Sequence, residues 1–305
     1  MKYPKPILII ALVFVAVQLI SLLFISVALT PADQAFPNPD DPMIAIYYLL
    51  LLLGFTLLFL MLIRFDLERL LKAIFYFSIG FVIFFVTTVV ARMIMDSPEA
   101  WLVLGLAFGI ASVAALYKRP EWYLIDAIGI VMAVGIVSLL GISLGLLPVL
   151  ILLIALAIYD ALSVYKTKHM LKLADGVVDM GLPLLLIIPK KLPYSFIENR
   201  PKIRDGEKKE REAFLIGLGD IIIPGLLPAS AFWFLRGDII MLGLPANLLV
   251  ALMAIIGGVV GLLVLMVIVM KGRPQAGLPL LNAGTIIGFF VGYVLVFGLD
   301  LSGMI

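Results

Sequence analysis

Cysteine is absent from this chain, histidine occurs once, and charged residues make up only 14% of it. The first absence excludes disulfides, a thiolate nucleophile and cysteine metal sites. The single histidine, His169, has no second histidine or cysteine beside it, so a zinc protease would lack its ligand set. A net charge of +2 provides no basic surface for a nucleic-acid partner. What fills the chain instead is apolar: 64% of 305 residues are hydrophobic, and mean hydropathy is +1.21. A soluble chain of this length would carry far more charge. The composition is that of an all-α integral membrane protein with several spans.

A membrane helix needs about 20 apolar residues to cross roughly 30 Å of hydrocarbon. Nine stretches qualify, near 7–29, 43–63, 72–95, 99–117, 122–143, 147–165, 212–235, 242–270 and 276–298. The first is too long and too apolar for a cleaved signal region and is read as a span. The expected organisation is spans one to six over 1–165, a long loop over 166–211, and spans seven to nine over 212–305. Of the 22 Lys and Arg, 20 fall on one side of this arrangement, and only Arg92 and Arg236 on the other. Without the long loop, which weighs less in such a count, the split is still 9 to 2. That bias places the N-terminus in the cytoplasm and the C-terminus outside. The acidic loop "PADQAFPNPDDP" then faces outward. Glycines recur every fourth residue at Gly105 and Gly109, at Gly257 and Gly261, and at Gly284, Gly288 and Gly292. Small residues at this spacing let membrane helices approach closely. Packing within the chain is the expected use, and a homo-oligomer seam is the alternative.

Against this background two aspartates need a reason, because a carboxylate within the bilayer costs at least about 2.5 kcal/mol. Asp160 lies in "LLIALAIYDALSVYK", six residues before Lys166. At helical rise that is about 9 Å in from the cytoplasmic side. Asp220 lies in "FLIGLGDIIIPG", nine residues after Arg211. Read as helix, that is about 13 Å in from the same side. The sequence "GLPLLNAG" opens the ninth span, with Pro279 about 9 Å in. Two carboxylates at one depth can share a proton, since close like charges are not both carried cheaply. Such a pair suits amide hydrolysis. The ionised member takes a proton from water, the protonated member donates to the carbonyl, and the roles then reverse. No metal, cofactor or nucleophilic side chain is required. Gly217 and Gly219 allow close backbone approach and loosen a helix. Pro224 and Pro228 weaken it further, and Pro279 frees carbonyls at the start of the ninth span. Geometry of this kind leaves open a proton-coupled transporter using the same aspartates, or a non-catalytic scaffold that binds transmembrane helices. Asp126, close to the cytoplasmic end of the fifth span, is read as solvated and structural.

At these residues the chain resembles the presenilin and signal peptide peptidase family of intramembrane aspartyl proteases. Tyr159 and Asp160 match its Tyr-Asp motif; Gly217, Leu218, Gly219 and Asp220 match Gly-x-Gly-Asp. Pro279, Leu280 and Leu281 match Pro-Ala-Leu, with Leu280 in place of alanine. The flanking "QAGLPLLNAG" is similar to archaeal presenilin homologues, and the resemblance runs along nearly the whole chain. It implies nine transmembrane helices and a catalytic dyad of Asp160 and Asp220. It also implies that the Pro279–Leu281 segment helps assemble the site and bind substrate. The expected substrates are transmembrane proteins in the lipid bilayer, single spans with the N-terminus outside. The expected setting is an archaeal-type cell membrane, with no accessory subunit evident.

The long loop has two parts with a pattern. "KTKHMLKLADGVVDMG" suits an amphipathic helix at the membrane surface. "LPLLLIIP" is short, apolar and bounded by prolines, and reads as a strand or a re-entrant segment. The charged stretch from Lys190 to Arg211 is expected to include mobile residues. Together, 166–211 are expected to form a lid, beside which an unwound substrate adds a strand to the chain leading into helix seven.

Overall fold

The computed structural model describes residues 4–65, 67–167, 184–190, 194–198, 213–235, 237–238, 240–241, 243–270 and 275–299. The amphipathic-helix expectation therefore lies outside the described residues, as does most of the proposed lid. Six helices come first: α1 (Pro4–Ala28), α2 (Met43–Arg64), α3 (Glu68–Ile94), α4 (Pro98–Lys118), α5 (Trp122–Ser143) and α6 (Leu146–Leu162). The strands β1 (Leu185–Pro189) and β2 (Ala213–Gly217) follow, then α7 (Gly219–Phe234). A short hairpin of β3 (Ile240–Met241) and β4 (Leu244–Pro245) precedes α8 (Ala246–Val269) and α9 (Leu278–Phe297). Among the described residues, eight helices are long and apolar enough to cross a membrane, and α7 is a shorter apolar ninth. The chain is an integral multi-pass membrane protein.

Punctuation in the sequence sets several of these limits. Ser97 caps α4, its hydroxyl accepting from the Ala100 N–H at 3.4 Å, with Pro98 in the first turn. Gly243 turns the β3–β4 hairpin at a φ of 78°, and Pro245 then admits the chain to α8. The eighth span thus starts a few residues later than its apolar run.

Span seven is the main departure. Residues 213–217 are extended, not helical, and pair antiparallel with β1 from Leu185↔Gly217 to Pro189↔Ala213. The Leu218 N–H continues the pairing to the Leu184 carbonyl at 2.9 Å. Within "LPLLLIIP", Leu185–Pro189 is therefore a strand. The 13 Å depth inferred for Asp220 used helical rise, whereas a strand advances about 3.3 Å per residue. Helical rise therefore does not give the depth of Asp220.

The chain forms two compact units. One holds α3, α4, β1, β2 and the adjoining parts of α1, α2 and α5. Here the Gly80 and Gly109 backbones meet, and a Cβ on Gly109 would lie 2.8 Å from the Gly80 carbonyl. Asp126 on α5 accepts the Ile187 N–H of β1 at 2.8 Å. It was expected to be solvated, and is instead half-buried against a strand. Glu121 accepts from the Ser195 hydroxyl at 2.9 Å and the Phe196 N–H at 3.0 Å, and Phe196 is buried. Within the charged stretch expected to be mobile, residues 194–198 are thus anchored.

The other unit holds α6, α7, α8, α9 and the rest of α1, α2 and α5. Its tightest joint is between α8 and α9. A Cβ on Gly257 would strike the Gly284 carbonyl, one on Gly261 the Leu280 carbonyl, and one on Gly288 the Met253 carbonyl. The glycine spacings at 105–109, 257–261 and 284–292 thus serve packing inside the chain. The acidic loop is pinned to the α5–α6 turn. The Gly145 N–H donates to the Pro39 carbonyl, and the Gln34 side chain to the Ile142 carbonyl, each at 2.8 Å.

Candidate active site

Asp160 sits two residues from the end of α6 and is 4% exposed. The helix then passes into a π turn over Ser163–Thr167, a local widening often found at functional positions. Asp220 is the second residue of α7 and is half-buried. Neither helix brings the carboxylates together by itself; the approach to α9 does. The Leu278 N–H donates to Asp160 Oδ2 at 3.1 Å, and the Gly277 N–H faces the same carboxylate. Gly277 also lies against Asp220. A Cβ built there would be 3.1 Å from Asp220 Oδ1 and 3.3 Å from its Cγ. The Gly277–Leu278 segment therefore lies beside both acids, bonded to Asp160 and packed against Asp220.

The surroundings hold this arrangement by hydrogen bonds that low dielectric strengthens. Buried Asn282, one turn into α9 from Leu278, donates from Nδ2 to the Leu153 carbonyl of α6 at 2.8 Å. That second bond lies along the same α6–α9 contact. Pro224 has no N–H for the Asp220 carbonyl, and Pro228 none for the Pro224 carbonyl, so the first turns of α7 are under-bonded. Buried Gln18 of α1 donates to the neighbouring Ile221 carbonyl at 3.4 Å, and Gly225 leaves room for its amide. Among the described residues, no three of His, Cys, Asp and Glu come together as metal ligands.

The family described as signal-peptide peptidase, presenilin aspartyl protease matches residues 11–299. The chain belongs to that family. Comparison with curated proteins finds no match. Among solved structures it is similar to a presenilin family intramembrane aspartate protease in two crystal forms. In space group C222 the identity is 33%, with 95% of this chain and 99% of the other covered and a TM-score of 0.69. In space group P2 the identity is again 33%, with 93% and 96% covered and a TM-score of 0.66. The protein is an intramembrane aspartyl protease with the presenilin-type fold. The transporter reading finds no support in these relatives.

The motif residues of this presenilin-family chain fall in different places. Tyr159 is half-buried beside Asp160 on α6. Gly217 ends β2, Leu218 is buried in the turn, and Gly219 opens α7. The glycines therefore mark a strand-to-helix junction; they do not loosen the interior of a helix, as the sequence reading had it. Pro279 occupies the first turn of α9, where its missing N–H is tolerated. The Leu280 carbonyl lies against Gly261, and Leu281 is fully buried. The backbone contacts to the carboxylates come from Gly277 and Leu278, just ahead of the motif assigned from the sequence. Sequence reasoning missed both, and missed Asn282 and Gln18. The available signals were a glycine directly before Leu-Pro and two amide side chains within otherwise apolar spans.

Proposed function

We propose that Asp160 and Asp220 are the catalytic dyad of this protease. The observation that carries the proposal is that Leu278 donates its N–H to Asp160 while the adjacent Gly277 lies against Asp220. The pair shares one proton. The ionised acid takes a proton from water as the water attacks the substrate carbonyl. The protonated acid donates to that carbonyl oxygen; as the tetrahedral intermediate collapses, the first acid passes its new proton to the leaving nitrogen, the second takes one back from a diol hydroxyl, and the C–N bond breaks to release the amine. Tyr159, Gly217, Leu218, Gly219 and Pro279–Leu281 shape the site around the acids, and the amides of Gly277 and Leu278 orient Asp160.

The substrates are spans of other membrane proteins, held with the N-terminus outside. A closed helix hides its amides, so a substrate must unwind. It does so by adding a strand at an edge of the β1–β2 pair, whose second strand ends three residues before Asp220. Residues 166–211 serve as the lid. The chain acts without accessory subunits, in an archaeal-type cell membrane.

The test is cleavage of a single-span substrate by the purified full-length protein in liposomes, with products read by mass spectrometry. Asp160→Ala and Asp220→Ala, each checked for folding, should lose at least about 10³-fold in rate. Products cut within the span and persisting in both variants would overturn the dyad.

A further inference from the structure

We propose that the outer face of the α3–α4 hairpin binds an anionic phospholipid, with an acyl chain along a groove between the helices and the phosphate between Lys72 and Lys118. The groove encloses about 610 Å³ and is almost wholly apolar. It exists because the Gly80 and Gly109 backbones meet at its floor, so no side chain fills it, while Phe77, Phe81 and Ile110 stand exposed as its walls.

The groove points in one direction. On α3, the lining residues Tyr76, Gly80 and Phe84 follow one another at four-residue steps, a continuous ridge of the helix surface. One step earlier on that ridge is Lys72. On α4, the lining residues Leu106, Ile110 and Ala114 form the matching ridge. One step later is Lys118. The two helices are consecutive and connected by a short turn at 95–97, so both lysines stand at the same end of the hairpin. That is the end assigned to the cytoplasm by the Lys and Arg bias. The bias accounts for lysines on that side of the membrane; it does not place them on the two ridges that line one groove.

Chemistry at the mouth fits a headgroup. The rings of Tyr76 and Tyr117 meet edge to face at 6.2 Å just inside the lysines, where amphipathic rings mark the headgroup level. Lys118 is exposed and Lys72 half-exposed, so both ammonium groups can extend along the helix to a phosphate. Arg69 and Arg119, also exposed, add positive charge at this end. Glu121, the nearest acid after Lys118 in the chain, is engaged by Ser195 and Phe196. Basic pockets between spans on the cytoplasmic side are suited to anionic headgroups.

The test uses the delipidated full-length protein in detergent, with phosphatidylglycerol or phosphatidylcholine of the same acyl chains added and retained lipid counted by native mass spectrometry. The parent should retain phosphatidylglycerol at least about tenfold more strongly. Lys72→Gln and Lys118→Gln should each reduce its retention about fivefold without changing phosphatidylcholine. Ala114→Trp, which places an indole on the open face of the groove, should reduce retention of both lipids. Unfolding temperatures of all variants check that they fold. Equal retention of the two lipids by the parent overturns the proposal, as does a preference that survives the double lysine variant. It also falls if Ala114→Trp raises KM for a single-span substrate and leaves lipid retention untouched, because the groove would then belong to the substrate.

Discussion

The α3–α4 and α8–α9 hairpins are both built on glycine, and they use it differently. In α8–α9, glycines face glycines, with Gly257 against Gly284 and Gly288 and Gly261 against Leu280 and Leu281. The joint is backbone on backbone and largely buried. In α3–α4 the contact is narrower. Gly80 meets Gly109, Gly105 meets Phe84 and Thr88, and aromatic side chains stand exposed along the seam. Lipid tails are as apolar as leucine, so helices in a bilayer associate through close packing. Four-residue glycine spacing therefore says that two helices touch. It does not say what the contact is for. In α8–α9 the contact fixes the first turn of α9, which opens with the Gly277–Leu278 segment beside both acids. In α3–α4 it opens a groove on the outer face.

The sharpest way to break this comparison is to place the same side chain in each joint. Gly261→Leu would drive carbons into the Leu280 carbonyl and shift the start of α9. A displacement of about 1 Å at a reacting group costs on the order of 10²-fold, so cleavage should fall at least that far. Gly109→Leu should destabilise the hairpin by about 1–3 kcal/mol through overpacking, while cleavage per folded molecule stays within about twofold. Denaturation curves, with substrate cleavage normalised to the folded fraction, separate these outcomes. Equal activity losses in the two variants would erase the distinction.

Finer changes sharpen it within the site. Gly277 has helical φ and ψ of −79° and −48°, so alanine suits its backbone and only space is altered. The new Cβ would sit 3.1 Å from Asp220 Oδ1. Gly277→Ala should lower kcat about tenfold through displaced geometry, with little change in unfolding temperature. Asn282→Ala removes the 2.8 Å bond to Leu153. Its expected cost is about 1 kcal/mol of stability, measured by denaturation, with a smaller loss of kcat than Gly277→Ala. Smallest of all for catalysis should be Asp126→Leu. It leaves the Ile187 amide of β1 without its acceptor, so that amide should exchange with deuterium faster while the cleavage rate holds.

Most of the architecture could be read before folding, and for a simple reason. A run of about 20 apolar residues has few ways to satisfy its backbone in lipid other than as a helix. The runs at 122–143 and 276–298 accordingly became α5 and α9 almost unchanged. Asp160 and Asp220 were conspicuous because a carboxylate amid leucine and isoleucine is costly wherever the chain goes. The junction ahead of Asp220 was not legible. "AFLIG" is apolar and five residues long, too short for a period to choose strand over helix. Its partner, Leu185–Pro189, lies more than twenty residues away along the chain, and only pairing with it makes the segment extended.

Composition and hydropathy by themselves thus determined a multi-pass helical membrane protein with two carboxylates that need a purpose. Local energies suffice for that, because helix formation in lipid and the cost of a buried charge act along the chain. Tertiary structure decided that residues 213–217 are a strand, that Asp126 anchors β1, and that Gly277 and Leu278 meet Asp160 and Asp220. Each of these joins groups far apart in sequence, and such contacts form only when whole helices and strands pack.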